Sequence, residues 1–122
     1  MDNIRVLIVD DEEELAATIA ERLEIRGIKT QTASDGDSAL SLIKADSPDV
    51  VVLDLMMPGI GGLGILKQIN LLEKKIPVIL LTGYASKERS IEGMNLGAFD
   101  YVLKPCQLDD LISKIQEAAK IK

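Results

Sequence analysis

Five polar side chains in this 122-residue chain stand where they could do chemistry together: Asp10 and Asp11 in "IVDDEE", Asp54 in "VVLDLMMPG", Thr82 in "LLTGYAS" and Lys104 in "YVLKPC". Asp10 and Asp54 each close an apolar run that otherwise reads as buried strand. A carboxylate in such a place is costly unless a cation or hydrogen-bond donors compensate it. Three carboxylates brought together would repel one another and lose hydration, so a cation is expected among them. With no imidazole or thiolate in the set, the ligands are all oxygen, which suits a hard ion: Mg²⁺ first, with water filling several octahedral positions. A hydroxyl and an ammonium group at the same edge would complete a phosphoryl-binding arrangement, in which cations and donors offset charge on a transferred group. Gly83, next to Thr82, leaves room for a ligand to approach the backbone.

Taken singly, each residue has an ordinary reading. Asp10 and Asp11 could cap the helix that starts near Glu13, and negative charge is favourable at a helix N-terminus. Thr82 could be an N-cap or turn residue, and Lys104 a solvated surface charge. Asp54 resists such a reading, because Pro58 and glycines follow it rather than a helix start.

Composition narrows the chemistry further. Histidine is absent, which removes Ser-His and Cys-His nucleophile pairs and imidazole metal sites. Cys106 is the single cysteine, so an internal disulfide and a thiolate metal cluster are excluded. A formal charge of -6 opposes binding to nucleic acid or anionic lipid and favours cations or basic protein surfaces. Hydrophobic residues at 47% and charged residues at 28% specify a packed globule rather than a disordered chain. The apolar runs are too short to cross a bilayer and no signal-peptide pattern opens the chain, so a cytoplasmic location is expected.

The elements that must position these residues follow from periodicity. Ile4 to Val9, Ile28 to Ala33, Val50 to Leu53, Val78 to Leu81 and Phe99 to Leu103 predict strands. Between them, Leu15, Ile19 and Leu23 mark one helix face, Ala39, Leu40 and Ile43 a second, and Leu63, Leu66 and Ile69 a third. The fourth helix, Lys87 to Asn95, is the weakest, with Ser86 as N-cap, Ile91 and Met94 inward and Gly97 as its stop. Leu108, Leu111, Ile112, Ile115 and Ala119 form the clearest stripe.

Strands alternating with helices imply an α/β fold with a parallel sheet and right-handed crossovers. The first, third and fourth strands are nearly all apolar, whereas "IKTQTA" alternates and "FDYVL" carries Asp100, so the second and fifth are expected at the edges. That gives a flavodoxin-like (βα)5 doubly wound parallel five-stranded sheet, order 2-1-3-4-5, as one domain over residues 1–122. In such a sheet ligands bind beyond the carboxyl ends of the strands where the winding reverses, which is where Asp10, Asp11 and Asp54 should meet.

At this point the sequence resembles a response regulator receiver domain of two-component signalling, over essentially its whole length. The matching pieces are "DD" at 10 and 11, "DLMMPG" at 54 to 59, "LTGYAS" at 81 to 86 and "GAFDYVLKP" at 97 to 105. The resemblance implies that Asp54 is the phosphoacceptor, taking a phosphoryl group from a phosphohistidine donor and holding it as an aspartyl (acyl) phosphate. It implies that Asp11, Asp54 and the Met56 carbonyl bind Mg²⁺, with Mn²⁺ as a possible substitute, and that Asp10 acts directly or through water. Thr82, the Gly83 amide and Lys104 would contact phosphoryl oxygens, and the Lys104–Pro105 bond would be cis. Thr82 and Tyr101 would form the switch, altering the surface of helix four, strand five and helix five. The implied partners are a sensor histidine kinase or histidine phosphotransfer protein and an output partner or domain on that surface, with no direct nucleic-acid or membrane contact. The protein would be a monomer or a phosphorylation-dependent dimer. It would catalyse its own phosphotransfer and slow autodephosphorylation without turning over external substrates.

The sequence departs from the family in places. Gly61 stands where many relatives have aspartate, so the stretch "GIGGLG" is expected to be a more mobile loop. Cys106 replaces a frequent phenylalanine and is expected to pack as a small hydrophobe, and Met56 and Tyr84 resemble the variable positions that tune phosphoryl lifetime. Two other functions compete. A Mg²⁺-dependent phosphatase with an aspartate nucleophile would need an acid two residues after it, where this chain has Met56. A receiver-like binding module that is never phosphorylated fits poorly with all five polar residues present. A free-standing regulator and an excised receiver of a larger protein fit the sequence equally well.

Overall fold

The computed structural model describes residues 3–57, 61–72, 74–83, 87–104 and 107–120. Strands β1 (Arg5–Val9), β2 (Lys29–Ala33), β3 (Val50–Asp54), β4 (Val78–Thr82) and β5 (Asp100–Leu103) alternate with helices α1 (Glu13–Ile25), α2 (Gly36–Ala45), α3 (Gly61–Asn70), α4 (Lys87–Asn95) and α5 (Leu108–Lys120). All neighbouring strands pair in parallel, in the order β2-β1-β3-β4-β5. The edge positions of β2 and β5 agree with their polar content. The predicted strands lie within a residue of the observed ones.

The sheet divides two apolar layers by the period of two that strand geometry imposes. Val6, Ile8, Val50, Val52, Ile79 and Leu81 face α1 and α5, where Ile19, Leu23, Leu111 and Ile115 cover them. Leu7, Val9, Val51, Leu53, Val78 and Leu80 face the other way, against Ala39 and Ile43 of α2 and Ile65, Leu66 and Ile69 of α3. With both faces covered, β3 and β4 are buried at every position, which is why they are apolar up to their last residues, Asp54 and Thr82.

Two expectations need correction. Ile91 and Met94 of α4 do not point inward: both are exposed, at 57% and 36%. The helix instead turns Ser90 and Gly93 to the sheet, and a Cβ on Gly93 would come within 2.4 Å of Leu80 Cδ1. A helix this close to the strand has room only for small residues on its inner face, and the larger ones rotate outward. The stretch "GIGGLG" is not wholly loop either, since Gly61 to Gly64 form the first turn of α3. Gly97 does end α4, with φ of +100°, and the amides of Gly97 and Ala98 donate to Met94 and Gly93 carbonyls. Ser86 as N-cap and the packing of Cys106 lie outside the described residues.

Candidate functional site

The site is assembled by register. Val9 pairs with Leu53 across β1 and β3, so Asp10 and Asp54 follow side by side where these strands end. The two amides that follow Asp54 are held by the sheet and the turn: Leu55 N donates to Leu81 O at 3.0 Å and Met56 N donates to Asp54 Oδ1 at 3.0 Å. Asp10 is anchored the same way, its Oδ1 accepting from Glu12 N at 3.0 Å. Each aspartate thus uses one carboxylate oxygen to close a turn on the amide two residues on, a local bond this short side chain favours. That fixes both carboxylates while the second oxygen of each faces the site.

Lys104 meets those second oxygens. It leaves the end of β5, where its amide donates to Thr82 O at 2.7 Å. Its long stem then carries Nζ past β4 to 3.3 Å from Asp54 Oδ2 and 3.3 Å from Asp10 Oδ2. Glu12 Oε1 lies 3.2 Å from the same nitrogen. Asp10 and Asp54 are almost wholly buried, Lys104 is partly covered and Glu12 is largely exposed.

The charges are coupled. Burial pushes the Asp10 carboxyl up to about 6; the Glu12 amide works against this, while the neighbouring Asp54 carboxylate adds to it. Burial alone would lower Lys104, but Asp54, Asp10 and Glu12 outweigh it and raise its pKa. One ammonium among three carboxylates leaves the rim net negative.

Thr82, Gly83 and Met56 lie at or just beyond the ends of the same strands. Thr82 is buried at the end of β4, between the strands that carry Asp54 and Lys104, and its Oγ1 donates to Gly83 O at 3.3 Å. A Cβ on Gly83 would meet nothing within 4 Å, so the space beside its backbone is open. Met56 is half exposed, two residues beyond Asp54. Tyr101 is partly exposed on β5, opposite Leu80 of β4. The Lys104–Pro105 bond and Tyr84 lie outside the described residues.

Among the described residues, the acidic side chains close enough to share a cation are Asp10, Glu12 and Asp54, with ligand oxygens within 4.8 Å of one another. Asp11 is exposed and stands outside that group. Glu12 was missed in the sequence because it reads as part of the acidic first turn of α1; its position directly before Glu13, the first residue of that helix, was the available signal. The donor set is all oxygen, two of its members are buried, and an ammonium already offsets part of their charge. Such a set fits a hard divalent cation.

Comparison with known proteins agrees with this geometry. The family model described as "Response regulator receiver domain" matches residues 6–116. The regulatory protein AtoC of Escherichia coli is 40% identical over 118 residues, covering 97% of this chain and 26% of that protein. The response regulator MprA of Mycolicibacterium vanbaalenii is 35% identical over 113 residues, covering 93% of this chain and 49% of that protein. The chain therefore spans between about a quarter and a half of the length of the curated relatives it matches. Among solved structures, the receiver domain of the Francisella response regulator 1452 superposes with a TM-score of 0.88 at 39% identity, covering 97% of this chain and 98% of that one. The receiver domain of NtrX from Brucella abortus gives 0.91 at 33% identity, covering 96% and 99%.

Proposed function

The chain belongs to the response regulator receiver domain family, and we propose that within it Asp54 accepts a phosphoryl group from a phosphohistidine donor and so switches the α4-β5-α5 surface. The observation that carries the assignment to Asp54 is the convergence of Asp10 and Asp54 on the ammonium nitrogen of Lys104, the three residues coming from three separate strand ends.

Asp54 is held by its own turn with one oxygen facing the site, so a nucleophile is positioned without an activating base. In the transfer, that oxygen attacks phosphorus, the bond from phosphorus to the donor imidazole nitrogen breaks, and its electron pair leaves on that nitrogen. With a proton already on its other ring nitrogen, the donor leaves as neutral imidazole, so no acid is needed where the chain has Met56. Lys104, Thr82 and the Gly83 amide would hold the phosphoryl oxygens. Asp11, Asp54, the Met56 carbonyl and Asp10, the last directly or through water, would hold Mg²⁺ or Mn²⁺. When bound, that ion supplies positive charge against the incoming phosphoryl group. Slow water attack on the acyl phosphate later returns the carboxylate, so the chain catalyses its own phosphotransfer and dephosphorylation without turning over external substrates.

The donor is a sensor histidine kinase or a histidine phosphotransfer protein. The output partner or domain would read the face where Ile91, Met94 and Tyr101 are exposed on α4 and β5, and the protein would be monomeric or dimerise on phosphorylation. We read residues 1–122 as one receiver unit. No described helix is long and apolar enough to cross a membrane.

Incubation with Mg²⁺ and acetyl phosphate should add one phosphoryl group per chain by intact mass, and Asp54→Asn should abolish it. Unchanged labelling of Asp54→Asn, or repeated turnover of a generic phosphate ester, would overturn the assignment.

A further inference from the structure

Arg89 has no part in the arrangement so far, yet its guanidinium reaches toward the residue beside Asp54. Its position is fixed by its neighbours: Ser90 is buried, and Gly93 one turn on sits so close to Leu80 that a Cβ would come within 2.4 Å of it. The first turn of α4 is therefore held against β4, the strand that ends in Thr82. From there Arg89 Nη1 reaches to 4.0 Å from Met56 Sδ. Met56 is the residue whose amide closes the turn on Asp54 Oδ1. The guanidinium thus rests on the residue that frames the Asp54 carboxylate.

A thioether is a weak acceptor and satisfies little of a guanidinium's five donors. Among the described residues no carboxylate lies within 4.0 Å of Arg89, so no ion pair there takes up its donors. A phosphoryl group on Asp54 would bring a charge near -2 and three strong acceptor oxygens to a rim that is already net negative. Lys104, partly covered among its carboxylates, supplies a point charge from the β5 side. A planar fork from the α4 side is the complementary donor, and arginine binds phosphoryl oxygens in pairs.

We propose that Arg89 is a further phosphoryl-binding residue, a rim cation that leaves Met56 to engage the phosphoryl oxygens on Asp54 and favours anionic phosphodonors. This rests on the reading of Asp54 as phosphoacceptor. Arg89 is exposed and outside both apolar layers, so its variants should fold.

The test measures the Mg²⁺-dependent rate of labelling of the full chain by acetyl phosphate, at low and high salt, for wild type, Arg89→Ala, Arg89→Lys and Lys44→Ala. Lys44→Ala is the control, removing the same charge from exposed α2. Arg89→Ala should label about three- to tenfold more slowly at low salt, with a flatter salt dependence. Arg89→Lys should recover part of the rate and Lys44→Ala should match wild type. An unchanged rate and salt slope in Arg89→Ala, or equal slowing in Lys44→Ala, would overturn the proposal. Wild type that fails to label at Asp54 would instead remove the reading beneath it.

Discussion

Gly62, in the first turn of α3, lies against the backbone of Asp54: a Cβ placed on it would sit 2.4 Å from the Asp54 carbonyl oxygen and 2.5 Å from Leu55 Cα. Neither atom belongs to a flexible side chain, so the strand end itself would have to move. Gly62→Ala is expected to destabilise by about 2–4 kcal/mol and to slow labelling of Asp54, read by urea denaturation and intact mass. Gly61 has φ of +71° but open space around it. Gly61→Ala should therefore cost only about 1 kcal/mol and leave the labelling rate alone.

The raised Asp10 carboxyl makes a second prediction with a definite sign. Its folded pKa of about 6 lies above the ordinary carboxylate range, so the folded protein holds this proton more tightly than the unfolded chain. The resulting stability is complete below about pH 4 and lost as pH rises through 6. In chelator, Asp10→Asn lacks this loss. It should be more stable than wild type by about 1–3 kcal/mol at pH 7, with the difference vanishing near pH 4. Thermal melting of both proteins across that range checks it; a constant difference would mean Asp10 contributes no titration.

Mg²⁺ should act in the opposite direction on wild type, because it relieves carboxylate repulsion in the folded state alone. At ten times its Kd it should add about 1.4 kcal/mol, or about 5 °C in Tm. Asp11 and Glu12 are both exposed, but Glu12 Oε1 is already engaged by Lys104 at 3.2 Å. Asp11→Asn should therefore weaken Mg²⁺ by at least about tenfold, and Glu12→Gln by less than about threefold, a carboxylate ligand's loss being the larger effect. Calorimetric titration distinguishes the two, and the reverse order would make Glu12 the ligand.

How much of this was legible in the sequence depends on what kind of information each feature carries. Strand positions and order were readable because burial on both faces forces an apolar run, and β3 and β4 could be nothing else. Asp10, Asp54, Thr82 and Lys104 were readable because each interrupts or ends such a run. The inward face of α4 was not: hydrophobic periodicity favours Ile91 and Met94, and the close approach of Gly93 to Leu80 is a tertiary fact that no local pattern expresses. Glu12 and Gly62 were missed for the same reason, one looking like helix charge and the other like loop glycine.

Tyr101 offers the decisive measurement on the switch. It is 39% exposed on an edge strand, and its neighbour β4 ends in Thr82, whose hydroxyl now donates to its own chain at Gly83 O. A phosphoryl oxygen is a far stronger acceptor than the Gly83 carbonyl in that long local contact of 3.3 Å, so Thr82 should turn to it. The proposed consequence is a shift of population in which the Tyr101 ring moves from solvent toward the interior. With Mg²⁺ and beryllofluoride at Asp54, the ring resonances of labelled Tyr101 should change and its χ1 should move to another well. Thr82→Ala should still bind the mimic yet leave Tyr101 where it is. If the ring keeps one rotamer with and without the mimic, coupling to the α4-β5-α5 face must run through α4 instead, and Arg89 becomes the residue to follow.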